Sequence, residues 1–120
     1  MNNYLLVYRT DYNTLRIGTA DIPAGNAEEM EAMTKRWMDW IASIAAENKL
    51  ADRGNRLATT GKVVKANSIV TNGPFVEIKE SIGGYSIITA ASYEEAVEIA
   101  KSCPILTVGG NVEVREISVL

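Results

Sequence analysis

The chain has 120 residues, 47% of them hydrophobic and 22% charged, with a net charge of -3 and no histidine. A chain of that size and composition forms one globular domain, residues 1–120, whose core buries roughly two thirds of the unfolded surface. The acidic balance argues against nucleic acid, whose binding rests on Lys and Arg neutralising phosphates. Without histidine, Ser-His-Asp, Cys-His and His-ligated metal chemistry is impossible in cis, so no metal site and no cofactor is expected.

Cys103 is the single cysteine, so no intrachain disulfide can form. The apolar run near the N-terminus, Leu5 to Tyr8, is far short of the ~20 residues of a membrane span and lacks a secretory pattern. The expectation is a cytoplasmic protein with no membrane contact.

Taken in chain order, Tyr4 to Tyr8 has β-type residues without polar alternation and reads as a strand covered on both faces. A long polar stretch from Arg9 to Gly25 follows. Asn26 then reads as an N-cap with Glu29 completing a capping box. Met30, Met33, Trp37, Ile41 and Ile44 mark the buried stripe of a helix running to about Asn48, with Trp40 beside that stripe. Arg56 to Thr60 and Lys62 to Thr71 read as extended, the latter as a hairpin turning near Ala66-Asn67.

Thr71-Asn72-Gly73-Pro74-Phe75 is the sharpest turn signal, because Asn and Gly accept positive φ and Pro74 has no N–H for a ladder. Gly83-Gly84 precedes a strand over Tyr85 to Ala90. Ser92-Tyr93-Glu94-Glu95 is a second capping box, opening a helix through Lys101. In the last run, Val112 to Val119, the apolar residues change phase between Val114 and Ile117. Either a bulge intervenes or a different surface buries the end.

The order β-α-β-hairpin-β-α-β is the split βαβ pattern of a ferredoxin-like plait, an α+β fold βαββαβ with an extra hairpin. Both helices of a plait cover one sheet face. The two-sided apolar first strand is therefore expected to meet a second copy, making a homodimer.

The segment Thr71 to Glu80 followed by Gly83-Gly84-Tyr85 resembles the DGPF-type members of the YCII-related family. The resemblance extends over nearly the whole chain, through Tyr4-Leu5-Leu6, Trp37 with Trp40, Arg56-Leu57, Glu95-Ala96, Ala100 and Gly109 to Arg115. It implies a dimeric α/β barrel, two plaits packed sheet against sheet, with a ligand cleft between sheet and loops. A branch of that family has a proposed His-Asp active site, which this chain cannot carry. Asn72 stands where the family usually has Asp, keeping the turn and removing a charge.

Glu77, Lys79 and Glu80 gather two carboxylates and an amine within four residues, and are the candidate catalytic cluster if burial shifts their pKa values. The plain alternative is a solvated charged surface. Candidate ligand-binding residues are Arg56, whose donor fork suits an anion, Asn72 and Phe75 in the turn, and Tyr85 and Trp40 as an aromatic wall. Against these stand a cross-sheet ion pair for Arg56, a purely structural turn, and a core role for the tryptophan. Arg115 and Glu113 are expected to make cross-strand pairs and Cys103 to be a buried small hydrophobe. The leading reading is a homodimer binding a small molecule, with catalysis open. The alternative is a non-catalytic interaction or dimerisation module.

Overall fold

The computed structural model describes residues 1–11, 27–73 and 81–120. β1 (Asn2–Thr10) leads to α1 (Ala27–Ala46), then β2 (Leu50–Asp52), the hairpin β3 (Gly61–Lys65) and β4 (Ile69–Gly73), β5 (Ser81–Ala90), α2 (Tyr93–Ala100) and β6 (Asn111–Glu116). Four strands form one antiparallel sheet in the order β2-β5-β1-β6, and β3 pairs with β4 in a separate ribbon. With the ribbon set aside, this is an α+β arrangement compatible with the expected plait. Among the described residues the four-stranded sheet is open at β2 and β6, and no barrel closes.

β1 is one of the two inner strands, paired on one edge to β5 and on the other to β6. Its even positions, Tyr4, Leu6 and Tyr8, enter the core with Trp40, Ile44, Ile88, Ala90, Ala96, Ala100, Cys103 and Ile105. Of the expected helical stripe, Ile44 is buried, Trp37 and Ile41 pack partly against the core, and Met30 is exposed. Trp40, placed beside the stripe by spacing, is the residue that fills the core. Its indole N–H donates to the Ile99 carbonyl (3.3 Å) and to Ser102 Oγ (3.1 Å), the partners a buried indole requires.

Asn48 ends α1 at φ 58, and the Lys49 N–H closes the last turn on the Ile44 carbonyl, a left-handed cap that Asn tolerates. The proposed N-cap Asn26 lies outside the described residues. At α2 the cap forms as expected, Ser92 Oγ accepting from the Glu95 N–H at 3.2 Å. The Glu95 carboxylate is 3.2 Å from Lys49 Nζ and so ties α2 to the α1–β2 connection.

Two expectations change in the strands. Gly83 and Gly84 lie inside β5, and the register with β1 slips between Tyr8 and Arg9, leaving Gly83 unpaired. The segment after β2 runs along this stretch: Arg56 bridges Gly84, the Leu57 N–H donates to the Gly83 carbonyl, and the Tyr85 N–H donates to the Asn55 carbonyl. Glycine permits the approach, since a Cβ on Gly84 would lie 2.9 Å from the Asn55 carbonyl oxygen. The phase change in the last run is resolved by β6 stopping at Glu116, with Ile117 and Val119 exposed beyond it.

Gly54 is the tightest point of the fold. Its φ is +71°, and a Cβ there would sit 1.6 Å from the Tyr85 carbonyl oxygen, a backbone atom fixed within the sheet. Gly54→Ala is therefore expected to cost about 3 kcal/mol or more, combining left-handed strain with a forced shift of β5. Urea unfolding of the two proteins measures the difference.

Candidate functional site

Strand pairing sorts the sheet's side chains, because residues directly opposite each other share a face. With the even positions of β1 turned to the helices, its odd positions define the other face. Leu5 lies between Ile87 and Arg115, Val7 between Tyr85 and Glu113, and Arg9 between Ile82 and Asn111. The face thus grades from apolar on β5 to charged on β6. Val7 at its centre is buried, while Leu5, Tyr85 and Ile87 are half-buried and Ile82 is exposed.

The charged side is one connected cluster. Arg9 Nη2 donates to Glu113 Oε2, and Glu113 Oε1 lies 3.6 Å from Arg115 Nη1. The cross-strand pair expected of Glu113 is present, made with Arg9 on the neighbouring strand, whereas Arg115 reaches Glu113 along their own strand. Two cations share one carboxylate, leaving a surplus positive charge. Arg9 Nε is buried without a hydrogen-bond partner among the described residues, so one donor of the guanidinium fork goes unused.

On the helix side the same strand builds a closed polar relay. Tyr8 Oη donates to Ser86 Oγ at 2.7 Å, and Ser86 Oγ donates to the Arg53 carbonyl at 2.7 Å. The Tyr8 ring meets Trp37 edge-on (centroids 4.8 Å, 81°) and Trp40 (6.0 Å, 72°). Burial pushes the Tyr8 phenol well above its ordinary range, against the pull of the Ser86 hydrogen bond. Burial also pushes the Cys103 thiol up to about 12, only partly offset by a backbone hydrogen bond from Ile105. This thiol is a small core residue and not a nucleophile at neutral pH.

The candidate residues separate accordingly. Trp40 belongs to the core beneath the helices and Tyr85 to the opposite face, so the two do not form one aromatic wall. Arg56 is exposed and, with Leu57, Ala58 and Thr59, lines a shallow concavity of ≈ 230 Å³. Asn72 lies at the end of the ribbon, opposite Lys62, whose ammonium it accepts. Glu77, Lys79, Glu80 and Phe75 lie outside the described residues. The Arg9–Glu113 pair was not legible in the sequence, because nothing in a lone Arg after a strand signals a partner more than a hundred positions away.

Among the described residues no group of His, Cys, Asp or Glu is placed to hold a metal ion, and no helix is long and apolar enough to cross a membrane. Compared with known families, residues 4–120 match the family model of the YCII-related domain. No curated protein matches the chain.

Both raised acids have the same linkage sign. Unfolded, the thiol releases its proton near 9.0 and the phenol near 10.0; native, both hold it to higher pH. Their contribution to stability is complete below pH 9 and is lost as pH rises towards 12. Thermal melts should show a constant Tm from pH 7 to 8.5 and a progressive fall above about pH 9. At pH 8 a thiol reagent should label Cys103 only on addition of denaturant.

Proposed function

The chain belongs to the YCII-related domain family, and on that premise we propose a homodimer, packed sheet against sheet, that binds a small anionic, partly apolar molecule beside Arg9 and Tyr85. The observation that carries this reading is the graded helix-free face. An antiparallel sheet with one face in water normally alternates apolar and polar residues. Here the positions that alternation would make polar are Leu5, Val7, Tyr85 and Ile87. A second copy of the same face would bury that apolar half, and two such halves are self-complementary about a two-fold axis.

The charged half supplies the ligand chemistry. Arg9, Glu113 and Arg115 carry one more positive than negative charge, and the Arg9 Nε–H, which has no partner among the described residues, suits a carboxylate or phosphate oxygen. Tyr85, next to Val7 and diagonal to Arg9, offers an aromatic surface for the rest of the molecule. Catalysis in this reading belongs to Glu77, Lys79 and Glu80, which lead directly into Ser81 and β5. Cys103, buried and unpaired, suits a reducing cytoplasm.

The second reading, a non-catalytic interaction or dimerisation module, is favoured by a separate observation: the Glu113 carboxylate is already engaged by two guanidiniums, which leaves it a structural ion-pair partner instead of an acid or base.

A thermal-shift screen of small carboxylates and phosphates, run on the wild-type chain and on Arg9→Met and Glu80→Gln, tests the reading. A ligand at a hundred times its Kd adds about 2.7 kcal/mol, a Tm rise of roughly ten degrees for a domain of this size. The rise should vanish in Arg9→Met. Turnover of the same compound should vanish in Glu80→Gln with folding intact. A broad library without a hit shifts the weight to the interaction module, and a hit indifferent to Arg9→Met removes the anion site from this face. Ile87→Asp should convert the dimer to a monomer in sedimentation equilibrium.

A further inference from the structure

We propose that the β3–β4 hairpin is an arm that clasps a second copy of this chain, laying its valines on the exposed start of the partner's α1. The proposal deepens the dimer reading above and rests on it.

The hairpin's strands pair with each other and pack on no other described element by more than a passing contact. Val64 and Val70 stand directly opposite each other, 73% and 57% exposed, and Ile69 on the other side of the ribbon is 52% exposed. An isolated two-stranded hairpin is at best marginal in water. Its cross-strand pairs, each worth a fraction of a kcal/mol, do not offset the entropy of ordering its residues. Exposed β-branched pairs on a free ribbon also invite uncontrolled pairing. The arm requires an apolar cover.

A second uncovered apolar strip lies at the start of α1. Met30 is 39% exposed, Met33 is only half-buried, and no residue of α1 before Trp40 is buried. The topology puts this strip and the arm at the same end of the sheet. α1 finishes beside β5's C-terminal end, where the Thr89 N–H donates to the Lys49 carbonyl, so its start points to the opposite end, where Thr10 pairs with Ser81. The segment after β2 runs along β5 towards Gly83, and the arm leaves from that same end.

Charge selects between possible covers. Residues 61–73 hold Lys62 and Lys65 and no acid, whereas residues 27–33 hold Glu28, Glu29 and Glu31 and no base. Two arms therefore repel each other, and an arm and a helix start attract. Among the described residues the arm has no extended packing on its own α1. Because every chain carries both surfaces, one two-fold axis covers both pairs at once. Strands of five residues reach about 17 Å, farther than the ~10 Å between packed sheets, so an arm passes the partner's sheet towards its helix layer.

Sedimentation equilibrium and far-UV circular dichroism on full-length variants test this. Val64→Asp with Val70→Asp should keep the wild-type spectrum and weaken self-association by about tenfold or more. Lys62→Glu with Lys65→Glu should weaken it as well. Adding Glu28→Lys and Glu31→Lys to that chain should restore it, a rescue that a merely local effect on the hairpin would not give. A wild-type Kd in the valine variant, a charge swap without rescue, or a monomeric wild type overturns the arm. If Ile87→Asp stays dimeric while the valine variant dissociates, the sheet-face reading fails and the arm stands. The reverse pattern overturns the arm alone.

Discussion

Tyr8 is the residue through which the parts of this fold hold one another. Its ring edges meet Trp37 and Trp40, fixing α1 on the sheet. Its hydroxyl, through Ser86, fixes the Arg53 carbonyl and with it the segment after β2. Aromatic edge contacts are worth about 0.5–1.5 kcal/mol each beyond area burial. A buried hydroxyl that lost its partner would cost about 1–3 kcal/mol. The arrangement is thus enforced as much by the penalty of breaking it as by the gain from making it.

The position of that tyrosine in the chain explains the neighbouring irregularities. The register slip that leaves Gly83 unpaired comes immediately after it. Gly84, opposite Tyr8, has no side chain and lets the Asn55–Leu57 backbone close on β5. Gly54 completes the approach at +71°. These glycines extend the short edge strand β2 by hydrogen bonds alone, without a side chain to pack, which shields most of the β5 edge.

A strand that uses both faces divides the molecule's tasks. Even positions of β1 close the core against the helices, and that side holds inert groups, a thiol and a phenol pushed far from physiological titration by burial. Odd positions leave an apolar centre bordered by the Arg9–Glu113–Arg115 cluster. The proposed second copy, anion and clasping arm are each argued from an uncovered surface on that framework. All three proposals rest on the same shortage: among the described residues, one layer of two helices leaves a sheet face, a ribbon and the start of a 20-residue helix uncovered.

The order of elements, a hairpin turning near Ala66-Asn67, the Ser92 cap and the burial of Cys103 were legible in the residues because each is decided by neighbours within a few positions. The helix stripe was legible only approximately: a 3.6-residue period does not say which flank of the stripe meets the sheet, and Tyr8 chose the Trp40 side. Tyr85 and Trp40 looked like companions until strand pairing put them on opposite faces. Arg9 with Glu113, 104 positions apart, was illegible because only the β1–β6 register brings them together. Local chemistry in the sequence determined where the chain turns, coils and extends. The tertiary structure decided which faces meet and which charges cluster, because those depend on pairings between distant strands that no local pattern records.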